Sequence, residues 1–247
     1  MDHTKDFAKE LLLGAGKERS TCIYLVRHGQ SEGNARHIFL GHTDLDLTPL
    51  GYKQAELTAQ ELESAHVDAI YSSDLLRAYN TAAPHAKLHG LEIVGSEGLR
   101  EIFCGDWEMT SGDWSEIHDE EKAKELPKPT NEEETCRYLW RTNYGISRTP
   151  NGETVQGAGE RLYAEIKRIA EENVGKTVLI ASHAAVIRAF WGKITGTKPE
   201  ELARKFAFPA NASYSMLIYA NGEFLPVAYS CNEHLKVLGI DTWPARA

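Results

Sequence analysis

The sequence predicts an α/β fold: a covered, largely parallel sheet with an antiparallel hairpin at its end. Three observations carry that expectation. Short apolar runs alternate with longer stretches of helical periodicity, the pattern of βαβ units. Thr48-Pro49 supplies a cap residue followed by a proline suited to a first helical turn. The last two apolar runs are joined by Asn221-Gly222, a turn pair that closes hairpins.

Taken in order, residues 5–13 place Phe7, Ala8, Leu11 and Leu12 on one side of a short helix. Thr21 to Val26 is a buried strand that ends in a polar, Gly-containing loop. Gly51 to Glu63 continues the helix begun at Pro49, and Val67 to Tyr71 is a second strand, ending in Ser72-Ser73-Asp74. Leu75 to Leu88 is helical, and Leu91 to Val94 is a third strand. From 106 to 150 the chain turns rich in Glu, Lys, Trp and Pro and lacks any strand-like run. This stretch predicts a helical cap inserted into a single domain of residues 1–247. Glu160 to Asn173 carries Leu162, Ile166 and Ile169 at helical spacing. Thr177 to Ala181 is a strand, Ala184 to Ile194 a helix, and Ser215–Tyr219 with Phe224–Ala228 the hairpin.

Composition narrows the function. The 247 residues carry a formal net charge of −9, which disfavours a nucleic acid or an anionic membrane as partner. Mean hydropathy is −0.41, and no apolar run approaches the roughly 20 residues of a spanning helix. The acidic start (Asp2, Asp6, Glu10) is unlike a secretory signal, so the expected location is cytoplasmic. Cys22, Cys104, Cys136 and Cys231 lie far apart without a CxxC pair and are read as free thiols, Cys104 as an inert one. His37/His42 and His85/His89 have spacings that occur in metal sites. Neither pair has a third ligand, so His85 and His89 are expected to be solvated helix residues and no metal is expected.

In such sheets ligands bind beyond the carboxyl ends of the strands. Arg27-His28-Gly29-Gln30-Ser31-Glu32-Gly33-Asn34 follows the first strand, and Arg77 lies just beyond the second. Leu99-Arg100-Glu101 follows the third, and Ser182-His183-Ala184 the strand at 177–181. Two histidines, two arginines and a glutamate thus emerge at one edge. Phosphoryl transfer through histidine suits this set. A neutral imidazole is nucleophilic at neutral pH, and Arg27, Arg77 and a protonated His183 would hold the charge spread over the phosphoryl oxygens. Backbone N–H groups at 29–33 and after His183 would add donors. Glu101 is the carboxylate at that edge placed to protonate a leaving alkoxide. Arg100, Arg137, Arg141 and Arg188 read as surface or cap charges, and Trp107, Trp114, Tyr138, Trp140 and Tyr144 as packing of the insertion, with a lining role in the substrate pocket as the alternative for some of them.

Leu25 to Asn34 resembles the signature of the histidine phosphatase superfamily, the phosphoglycerate-mutase-like enzymes. The likeness continues through Gly41–Gly51, Gln54-Ala55, Ser72–Ala78, Thr81-Ala82, Leu99–Ile102, Gly105–Glu108, Gly152–Thr154 and Ser182-His183. It implies a three-layer α/β/α sandwich around a mixed, mostly parallel sheet. It also implies His28 as the residue phosphorylated in turnover and Glu101 as proton donor. Arg27, Arg77 and His183 complete the phosphate pocket, with Asn34 facing it, Gln30 and Ser31 in the same loop, and Ala184 giving its backbone N–H. Ala184 and Met109 stand where relatives often carry Gly. The expected activity is a cofactor-independent phosphatase acting on a small phosphorylated metabolite. A cofactor-dependent phosphoglycerate mutase is the alternative; no Arg-Arg pair occurs in the chain, and Asp106–Glu134 is rich in acids. A non-catalytic phospho-ligand binder would not need Glu101. Nothing in the sequence fixes the oligomeric state.

Overall fold

The computed structural model describes residues 19–111 and 120–239. The helix expected at 5–13 and Trp114 lie outside them. Six strands form one sheet in the order β3-β2-β4-β1-β5-β6: β1 (Ser20–Arg27), β2 (Ala69–Ser73), β3 (Ile93–Ser96), β4 (Thr177–Ser182), β5 (Tyr214–Ala220) and β6 (Glu223–Cys231). β1 to β4 run parallel, and β5 and β6 are antiparallel additions. The hairpin turn has positive φ at both Asn221 (54°) and Gly222 (87°), as the Asn-Gly pair predicts.

Alternation along the central strands separates two cores. Ile23, Leu25, Val178 and Ile180 join one apolar cluster with the buried faces of α6 (Val155–Glu172) and α7 (Ala184–Ile194). Val26, Leu179 and Ala181 join the other, with Leu62 after α2 (Pro49–Glu61) and Ala78 and Ala82 of α3 (Leu76–His89). A strand period of two therefore makes three layers, helices on each face of the sheet. The remaining helices are α1 (Glu32–Ala35), α4 (Glu120–Glu125), α5 (Glu132–Thr142) and α8 (Leu202–Lys205). Of these, α4 and α5 lie in the segment read as helical.

Two differences are informative. The second strand begins and ends two residues later than the apolar run suggested, because Ser72 and Ser73 pair with Gly95 and Ser96 of β3. Residues 199–205, read as no element, form a short 3₁₀ turn and α8.

The sheet order positions the site. β1 and β4 are adjacent and parallel, with Arg27 opposite Ser182, and the His28 N–H donates to the Ser182 carbonyl at 3.0 Å. His28 and His183 therefore leave neighbouring strands at the same edge. β2 lies on the far side of β4 and delivers α3, with Arg77 in its first turn, to that edge.

Candidate active site

The loop after β1 is held against residues 46–51. Thr48 N–H donates to the Gln30 carbonyl at 2.9 Å, and Glu32 N–H to the Asp46 carbonyl at 3.0 Å. A Cβ on Gly51 would fall 2.1 Å from the Gln30 oxygen, and one on Gly29 2.5 Å from the Gly51 oxygen. Only glycine permits that approach. Thr48 caps α2 by accepting from Gly51 N–H at 3.1 Å, and donates its hydroxyl proton to Gln30 Oε1 at 2.9 Å.

This packing defines the imidazole of His28. Its Nδ1 lies 2.7 Å from the Gly29 carbonyl, which can only accept, so Nδ1 carries the proton and Nε2 keeps its lone pair. The ring centroid of His183 lies 5.2 Å away. His183 is wholly buried, and neither ring nitrogen has a hydrogen-bond partner among the described residues. A buried imidazole without partners costs on the order of 1–3 kcal/mol, which an anionic ligand accepting its N–H would recover. Burial, then Arg77 and Arg27, press the pKa of His28 well below the ordinary histidine value; burial and Arg77 do the same to His183. Both rings are neutral before substrate arrives. That suits a nucleophile at His28, and it corrects the expectation of a protonated His183: the ring donates there as a neutral N–H until a phosphate dianion offsets the arginines.

Two buried guanidinium groups supply the positive field. Arg27 donates through Nη1 to the Pro209 carbonyl at 2.5 Å; burial lowers its pKa to about 10, so it stays charged at neutral pH. Arg77, only 1% exposed, donates to the carbonyls of Gly41 (2.7 Å) and Thr43 (3.0 Å), which fix its plane.

Glu101 sits at the start of α7. Oε1 accepts from Ile102 N–H at 2.9 Å and Val186 N–H at 3.0 Å, and Oε2 from Ala185 N–H at 3.2 Å. A carboxylate is favourable at a helix N-terminus, where N–H groups are unsatisfied. The Glu101 carbonyl accepts from His42 Nε2 (2.9 Å) and Arg161 Nη2 (3.0 Å). Arg161 also pairs with Glu153 at 2.8 Å.

The structure thus brings His28, His183, Arg27, Arg77 and Glu101 to one edge. Asn34 accepts through Oδ1 from Ser31 N–H and Asn211 Nδ2, and Ala184 begins α7 directly after His183. Gln30 and Ser31 are different. The Gln30 amide is bonded to Thr48, and the buried Ser31 hydroxyl caps α1 by accepting from Asn34 N–H. The Ser31 hydroxyl thus shapes the loop, while Gln30 is tied to it through Oε1 and its backbone N–H. Among the described residues no group of three or more His, Cys, Asp or Glu could hold a metal ion. His85, expected in solvent, is wholly buried, because it shares a helix face with Ala78, Thr81 and Ala82. Arg188, expected at the surface, is also buried, with its guanidinium 4.5 Å from the Tyr144 ring centroid and 4.3 Å from that of Phe208. Arg100 is a surface charge as expected, paired with Asp74. The four cysteines are free, and burial pushes the Cys104 thiol well above its usual pKa, which keeps it inert.

Residues 23–232 match the family model of the histidine phosphatase superfamily, branch 1. The chain belongs to the histidine phosphatase superfamily. It is an enzyme of the phosphatase or phosphoglycerate-mutase-like phosphoryl-transfer kind, and the family with its phosphatase-named relatives supports the phosphatase. This histidine phosphatase is 34% identical over 181 residues to "Putative phosphoserine phosphatase 2" of Hydrogenobacter thermophilus, covering 73% of this chain and 81% of that one. It is 30% identical over 220 residues to "Probable phosphoglycerate mutase GpmB" of Photorhabdus laumondii, covering 89% and 95%. A solved Entamoeba histolytica phosphoserine phosphatase mutant in complex with phosphoserine superposes with a TM-score of 0.70 at 26% identity, covering 87% of this chain and 99% of that one.

Reading the sequence missed Asn211, whose amide donates to the His28 carbonyl at 3.2 Å and to Asn34 Oδ1 at 3.0 Å. It also missed Arg161 as the brace behind Glu101. Asn211 lies in an aperiodic stretch that gives no signal. Arg161 carried one, since it stands at the start of the predicted helix, eight residues beyond Glu153, its ion-pair partner.

Proposed function

We propose that this histidine phosphatase hydrolyses small phosphomonoesters through a phosphohistidine at His28. The observation that carries the reading is the His28–His183 pair: one ring has a committed Nδ1–H and an available Nε2 lone pair, and the other is buried without partners among the described residues. Two buried arginines flank them. Nε2 of His28 attacks phosphorus while the ester P–O bond breaks, its electron pair passing to the leaving oxygen. That oxygen takes a proton from Glu101, to which the bound phosphomonoester, entering as its monoanion, has passed its own. Oε2 is the oxygen suited to carry it, because Oε1 already accepts two N–H groups. Water then attacks the phosphohistidine as Glu101 removes its proton, and the P–N pair returns to Nε2. Arg27, Arg77, His183, Asn34 and the Ala184 N–H hold the phosphoryl oxygens.

Relatives named for phosphoserine and phosphoglycerate make carboxylate-bearing phosphomonoesters the substrate class to test first. Residues 106–150 act as the cap that sets the choice among them, within one domain. No helix of the described residues is long and apolar enough to cross a membrane, and a cytoplasmic metabolite is the substrate we infer. The test is phosphate release from phosphoserine, 3-phosphoglycerate and other phosphorylated metabolites, with 3-phosphoglycerate also run beside a bisphosphoglycerate primer. Phosphate release without isomer exchange is expected. Isomer exchange without phosphate release would replace the phosphatase by a mutase, and phosphate-ester binding without turnover would replace it by a binding protein.

A further inference from the structure

Glu108 touches none of the groups given a chemical role above, yet it holds the loop that joins two of them. Its Oε1 accepts from His42 N–H at 2.7 Å and Cys104 N–H at 3.4 Å, and its Oε2 from the Thr43 hydroxyl at 2.6 Å. The loop it grips, 41–43, presents the two carbonyls that fix the Arg77 guanidinium. The same loop carries His42, whose ring bonds the Glu101 carbonyl. Gly41 has φ +52°, and a Cβ there would fall 2.2 Å from Glu108 Oε1, so the backbone is shaped around this carboxylate. With its oxygens occupied by donors of the loop, Glu108 is engaged as an acceptor and is not disposed as a proton donor.

We propose that Glu108 is a positioning residue that sets Arg77 and Glu101 in register through the 41–43 loop. This rests on the proposed roles of Arg77 as a phosphate ligand and Glu101 as the acid. A misplacement of about 1 Å at either group costs up to about 10²-fold in rate. Glu108→Gln keeps the side chain's size but sets an amide N–H₂ against donors it must accept from. Orthovanadate, which resembles the phosphoryl group in transfer, is the probe for Arg77, and an alkyl phosphate compared with p-nitrophenyl phosphate is the probe for Glu101.

Glu108→Gln should weaken vanadate inhibition about 10-fold and lower kcat/KM on p-nitrophenyl phosphate 10- to 100-fold, with a further loss on the alkyl ester. Thr43→Val, which removes only the Oε2 contact, should shift both quantities the same way by a few-fold and provides the test if Glu108→Gln does not fold. Vanadate inhibition and kcat/KM within twofold of wild type in both variants would overturn the role. So would a loss confined to the alkyl ester with unchanged vanadate inhibition, which would make Glu108 the proton donor. Arg77→Lys run alongside separates the two levels. Unaltered vanadate inhibition in that variant would overturn the phosphate site itself and, with it, any positioning of Arg77.

Discussion

Hydrogen bonds that leave no alternative define the residues of this site. A carbonyl beside His28 Nδ1 dictates the tautomer, and two carbonyls dictate the plane of Arg77. The role of Glu101 is the most exposed to test at this scale. An ordinary alcohol leaves as a strongly basic alkoxide, whereas p-nitrophenolate, with a pKa of roughly 7, needs little protonation; general acid assistance is worth about 10² to 10⁴ in rate. Glu101→Gln is therefore expected to cut kcat by that order on alkyl phosphates and much less on p-nitrophenyl phosphate. Steady-state rates on both esters check it, and equal losses would mean that Glu101 only shapes the pocket. The five charged and imidazole groups were legible because each lies at, or within five residues of, the carboxyl end of a strand. The Ser31 cap was not, because a sequence does not say whether a polar side chain in a loop faces a ligand or its own backbone.

Elements matter here through their ends. Thr48 shows how a cap serves the site: one hydroxyl accepts from the first turn of α2 and donates to the loop that carries His28. Thr48→Ala removes both bonds, and an N-cap of this kind is worth about 1 kcal/mol. The midpoint of urea unfolding should fall by the corresponding amount with an unchanged m-value. An unaltered midpoint would show that the cap contributes nothing. The helix itself was readable from Thr48-Pro49. Helix α7 was readable in its bounds and misread in one residue, Arg188. From Ala185 to Gly192 every side is buried, and an arginine in such a helix has no solvent to face. That pattern was in the sequence. The aromatic partners Tyr144 and Phe208 were not, since they come from segments about 40 and 20 residues away.

For the whole molecule, burial of neutral histidines has a cost in acid. Unfolding returns His28, His85 and His183 to water, where they titrate near 6.5, while burial holds all three lower in the folded chain. The unfolded chain therefore binds more protons, and stability falls as pH drops below about 6.5. For His85, whose folded value is about 3 through burial and then the nearby His89 and His234, the loss between pH 7 and pH 5 is roughly 2 kcal/mol. Denaturant unfolding at the two pH values should show a loss larger than that, since all three histidines contribute, and His85→Leu should shrink it by roughly 2 kcal/mol. Equal pH sensitivity in the variant would contradict it. The covered, largely parallel sheet and its antiparallel hairpin were legible from alternating periods and the Asn-Gly turn, and the three layers from the family resemblance. The order β3-β2-β4-β1-β5-β6 was not, because strand neighbours depend on crossovers that leave no local mark. That order is what makes His28 and His183 adjacent.

The central claim is that His28 carries the phosphoryl group, and rapid quenching of turning-over enzyme tests it most directly. Wild type should yield a phosphoprotein that is labile in acid and stable in base, and His28→Ala should yield none. Full turnover by wild type with no trapped phosphate on His28 would contradict the account and point to direct attack by water.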